Sequence, residues 1–198
     1  MTPASGPIVV IGVGNEFRRD DGVGPAVVRR LRQRDLAGVT LAVSDGEPSG
    51  LIELWDGAPL AVVVDAVRAD PPHPGRVHRL ALYRPENGRA RTASSHGLGL
   101  GEAVALAQVL GRLPGRLVVY AVEAADLTSG PGLTPAVATA VDRVAGQVVA
   151  EIGVHVNRSG EPDVPELPGP GPCCRVRRHG ARRDSRRHSP DTAAGPGR

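Results

Sequence analysis

Five apolar runs of strand length recur along the chain: IVVIGV (8–13), VTLAVS (39–44), LAVVVDAV (60–67), GRVHRLAL (75–82) and RLVVYAV (116–122). The third and fifth are rich in valine with little alternation, the pattern of central strands covered on both faces. Helical periodicity fills the gaps. Gly22 to Arg34 puts Val23, Val27, Val28 and Leu31 on one stripe with arginines mostly opposite. Pro48 to Trp55 predicts a short helix opening after Glu47, and Leu98 to Leu110 repeats Leu98, Val104, Leu106 and Leu110. Thr134 to Ile152 opens with Thr-Pro, a fitting N-cap and first helical residue, and continues as an Ala/Val helix.

Strands alternating with helices predict an α/β sandwich on a largely parallel sheet. The link DPPHPG between the third and fourth runs is too short for a helical crossover. It predicts a hairpin, with the fourth strand antiparallel to the third. After about Val154 the chain turns to Pro, Gly, Arg and Ser. Residues 1–153 therefore read as one domain and 154–198 as a disordered tail.

Composition sharpens this division. Aromatic residues are 2% of the chain, so Val, Leu, Ile and Ala must build the core. There is no lysine, and arginine supplies all 24 basic side chains. The net charge of +3 belongs to the tail, where nine arginines face five acids from His155 onward. Its segment RVRRHGARRDSRRH lacks interleaved aromatics for base stacking, so it reads as an unspecific polybasic stretch, with no specific nucleic-acid partner expected. No apolar run approaches the ~18 residues of a membrane helix, and MTPASGPIVVIGVG lacks a basic leader region. Membrane insertion is not expected. The only cysteines, Cys173 and Cys174, are adjacent in the tail, which fits a reducing cytoplasm and makes a poor chelate with His179.

Ligands of open α/β sheets bind beyond the carboxyl ends of the strands. Asp20 and Asp21 follow the first strand, Asp65 ends the third, and His96 precedes the helix near Leu98. Two carboxylates and an imidazole suit a divalent transition metal. Phosphate fits poorly: Phe17 stands where a dinucleotide loop needs its third glycine, and no Walker lysine exists. The glycines of GVGNEF then serve close backbone approach. Plainer roles stay open, with the aspartates as helix caps, Asp65 as a turn residue and His96 as a cap or surface histidine. His73 and His78 read as solvated loop residues. Glu123 closes the fifth strand as a site neighbour or a helix-dipole partner. From the residues alone, this is a metal or acid–base site.

The order GVGNEFRRDDGVG, DGEPSGLIELWDGA, LAVVVDAV, SSHGLGLGEAVALAQVLGRLP and YAVEAADLTSGPGLTPAV resembles the hydrogenase maturation proteases over about residues 7–153. These endopeptidases trim the C-terminus of the large subunit of [NiFe] hydrogenases. The resemblance implies a three-layer α/β/α sandwich with a twisted, mostly parallel five-stranded sheet. It also implies nickel recognition and catalysis through Asp21, Asp65 and His96, with Asp20 shaping the loop. The nickel would come with the large-subunit precursor, and the enzyme would act as a cytoplasmic monomer. Hydrolysis could run through the metal as a Lewis acid or through a carboxylate as base. A nickel-checking chaperone that does not cleave is the competing function on the same fold. The long tail departs from the family's pattern.

Overall fold

The computed structural model describes residues 6–83 and 100–159. Five strands, β1 (Ile8–Val13), β2 (Val39–Ser44), β3 (Leu60–Val67), β4 (Val77–Tyr83) and β5 (Arg116–Glu123), form one sheet in the order β2-β1-β3-β5-β4. All pairings are parallel except β4 with β5. Among the described residues four helices cover it: α1 (Val23–Leu31), α2 (Pro48–Trp55), α3 (Leu100–Leu110) and α4 (Pro135–Ser159). A single 3₁₀ turn, Arg19–Gly22, leads into α1.

The run of valines in β3 divides between two cores. Val62 and Val64 pack with α1 and α4, whereas Val63 packs with α2 and α3. Burial on both faces removes the need for alternation, as the sequence pattern predicted. β1 and β5 are likewise buried at every position. Glu47 caps α2 by accepting the Gly50 amide at 2.9 Å, with Pro48 at the first helical position. Thr134 precedes α4, and its carbonyl accepts the Ala138 amide at 2.8 Å.

Helix α1 lies unusually close to the sheet because two glycines meet there. A Cβ on Gly24 would stand 2.3 Å from the Val13 carbonyl oxygen and 2.6 Å from that of Val64. A Cβ on Gly12 would stand 2.3 Å from the Gly24 oxygen. The glycine motif is therefore a packing device here.

Three expectations need correction. The link after β3 does not make a hairpin: β5 lies between β3 and β4, and β4 runs antiparallel to β5. The fully buried, valine-rich β5 takes the interior place, while β4, which carries His78 and Arg79, takes the edge, where charge is tolerated. The buried stripe of α3 is Leu100, Ala103, Val104 and Ala107; Leu106 and Leu110 are 42% and 53% exposed. Small alanines let α3 approach its neighbours, and the larger leucines are left outside. Finally, α4 continues to Ser159, past the expected end at Ile152 and into the segment assigned to the tail. Residues 160–198, with Cys173, Cys174, His179 and the polybasic stretch, lie outside the described residues.

Candidate functional site

The loop after β1 is built from its own side chains. Gly14 has φ 125°, and a Cβ there would stand 1.9 Å from the Asp21 carbonyl oxygen, so only glycine fits. Asn15 Oδ1 accepts the Phe17 amide at 2.9 Å. The Asn15 amide in turn donates to Asp21 Oδ2 at 3.0 Å. Arg19 takes a left-handed φ of 46°, held by its amide on the Gly130 carbonyl (2.8 Å) and its guanidinium on Asp126 (3.1 Å). A non-glycine residue in that region persists only when its surroundings hold it.

Asp20 and Asp21 are adjacent in sequence and opposite in role. Asp20 is fully buried and accepts four hydrogen bonds: the amides of Ala125 (2.9 Å), Asp126 (3.0 Å) and Thr134 (2.7 Å), and the Thr134 hydroxyl (2.9 Å). It pins the loop to the segment between β5 and α4. Asp21 keeps a side chain 19% exposed, with Arg18 Nη1 at 3.6 Å from its Oδ2. Burial of one carboxylate fixes the position of the other.

Asp65 occupies the last half of β3, on the sheet face that packs α2 and α3. Burial pushes its carboxyl up to about 6; the Ala66 amide partly opposes this, and the nearby charge of Asp21 raises it further. Asp21 is thus near enough to Asp65 for its charge to raise that carboxyl. His96 lies outside the described residues. Among the described residues, no group of three His, Cys, Asp or Glu side chains could hold a metal ion. The two carboxylates provide a cation with charge and hard oxygen donors, but only part of a coordination sphere.

The sequence reading missed a second polar pair at the same edge. Glu123, with a side chain 2% exposed, accepts His78 Nε2 and the His73 amide, each at 2.6 Å. His78 and the His73 amide hold its carboxyl below the usual range. His78 and Asp65 both lie opposite Ala121 in the ladder, on the two strands flanking β5. His78 is therefore no loop residue but the edge-strand partner of a buried carboxylate. Its period-2 place within GRVHRLAL, facing the same side as Leu80 and Leu82, was the available signal.

The family profile described as hydrogenase maturation protease matches residues 26–151, a span that contains Asp65 and His96 and begins just after Asp21. The chain is 34% identical over 166 residues to the hydrogenase expression/formation protein HupD of Bradyrhizobium diazoefficiens, covering 78% of this chain and 84% of that protein. It is 29% identical over 150 residues to the hydrogenase 2 maturation protease of Escherichia coli K12, covering 73% and 90%. Among solved structures, the hydrogenase maturating endopeptidase HybD of E. coli superposes with a TM-score of 0.60 at 26% identity, covering 78% of this chain and 94% of that one.

Proposed function

This chain belongs to the hydrogenase maturation protease family and is an endopeptidase of that class; from that premise we propose that it removes the C-terminal extension of a [NiFe] hydrogenase large-subunit precursor once nickel has been inserted. Asp21, Asp65 and His96 recognise the metal, which arrives as part of the substrate. The enzyme works in the cytoplasm, as a monomer. Among the described residues no helix is long and apolar enough to cross a membrane.

The observation that carries this reading is the pairing of Asp21 with a partly buried Asp65 whose carboxyl is pushed up to about 6. Two carboxylates that repel each other gain most from a cation delivered between them. A carboxyl near 6 is also poised to take a proton from water at working pH, where a base of matched strength acts best. In the proposed reaction, water adds to the scissile carbonyl as a carboxylate accepts its proton. The C–N bond then breaks, and that proton passes to the departing amine. The nickel polarises the segment to be cut and reports that insertion is complete.

Cleavage is checked by the mass of the precursor incubated with the full-length chain, with and without nickel. A C-terminal mass loss is expected only with nickel, and none with Asp21→Asn, Asp65→Asn or His96→Ala, each retaining the circular dichroism of the parent. Binding of every cognate precursor without cleavage would favour the chaperone function instead.

A further inference from the structure

The chain contains a single phenylalanine, and it is not in the core. Phe17 is 76% exposed at the tip of the loop that carries Asp21. It is held there: its amide donates to Asn15 Oδ1, and its carbonyl accepts the Gly130 amide at 2.8 Å. Beside it runs a groove of about 500 Å³ lined by the Gly14–Phe17 loop, Pro25 and Arg29 of α1, Arg32 just past its end, Val43 of β2 and Asp45. Val43 is itself 45% exposed, on the strand face whose Val39 and Leu41 pack toward α1 and α4.

β2 is an edge strand, and among the described residues nothing pairs with its outer side. Its residues Val39–Ser44 include no charge and no proline, the usual guards of an exposed edge. Such an edge accepts an extended peptide through its backbone while alternate side chains enter adjoining pockets. The groove and the proposed cleavage site share one loop: residues 14–17 line the groove, and the Asn15 amide donates to Asp21 Oδ2.

We propose that the terminal segment of the precursor docks as an extended chain beside β2, with one apolar side chain seated between Phe17 and Val43. This rests on the proteolytic function given above and names where its substrate is held. The groove lies toward α1 and Asp65 toward α2 and α3, so the segment crosses the crest of the loop to reach the scissile position. Two strand spacings separate β2 from β3, roughly 10 Å. At ~3.3 Å per extended residue, and allowing for the crossing, the apolar anchor stands about three to five residues from the bond that is cut.

The test replaces Phe17 by the photoreactive analogue p-benzoylphenylalanine in the full chain and irradiates it with the nickel-loaded precursor. Cross-linked peptides are mapped by mass spectrometry, and steady-state cleavage is measured for Phe17→Ser, Phe17→Leu and Val43→Ser. A cross-link within a few residues of the cut, with KM raised about tenfold or more by Phe17→Ser, kcat within twofold and recovery in Phe17→Leu, is the expected result. A cross-link on the body of the precursor, or unchanged KM in Phe17→Ser and Val43→Ser beside an active parent, overturns the docking site and leaves the protease intact. An inactive parent on every nickel-loaded precursor would remove the function and the docking site together.

Discussion

At the residue scale, the site rests on a difference between two neighbouring aspartates. Asp20 is consumed by structure, whereas Asp21 keeps a partly exposed carboxylate. Asp20→Ala strands the amides of Ala125, Asp126 and Thr134 in a buried place and should destabilise the protein by about 3–5 kcal/mol. Urea unfolding would show this as a fall in midpoint. Asp65 gives a pH dependence of definite sign. Its folded carboxyl, at about 6, lies above its ordinary value. Its contribution to stability is therefore full below the ordinary carboxylate range and is lost as pH rises through 6. Asp65→Asn should accordingly stabilise the fold at pH 7.5 relative to pH 4, by on the order of 1–2 kcal/mol after allowance for its partial exposure. Equal midpoints for parent and variant across that range would contradict the assigned environment. The adjacency of Asp20 and Asp21 was legible in the sequence, and the resemblance implied that Asp20 shapes the loop, but the partners that hold Asp20 lie more than a hundred residues away. A separation of 45 residues likewise hid the partnership of His78 with Glu123, which meet only because β4 and β5 pair.

At the element scale, period and composition placed all five strands and the start of α2 closely. They failed where the answer lay in neighbours rather than in the segment itself. Nothing within DPPHPG says that a later strand will insert beside β3, and nothing within α3 says that its alanines will face inward. Glycine at position 24 belongs to this scale, because it sets how near α1 lies to β1 and β3. Gly24→Ala forces a methyl group against two backbone oxygens that cannot yield as a side chain would. A loss of about 2 kcal/mol or more is expected, read as a lower melting temperature. Since α1 follows directly from the Asp21 turn, cleavage should fall as well, even at temperatures where the variant remains folded.

At the scale of the whole molecule, residues 6–83 and 100–159 contain both cores and both carboxylates of the candidate site. A chain ending after Ser159 keeps Ile152 buried and the ion pairs of Glu151 with Arg79 and Arg116. Its melting temperature and its cleavage rate should match those of the full chain, and a slower truncated enzyme would assign a role to the polybasic segment. The Asp20 contacts carry a consequence for biosynthesis. Thr134 lies 114 residues beyond the carboxylate it satisfies. While the ribosome is still translating the first strands, the loop holding Asp21 lacks its distant partners, and the Asp20 contacts are complete only once the start of the last helix has left the exit tunnel. The Asp21 loop therefore takes its final form only after most of the chain has been made.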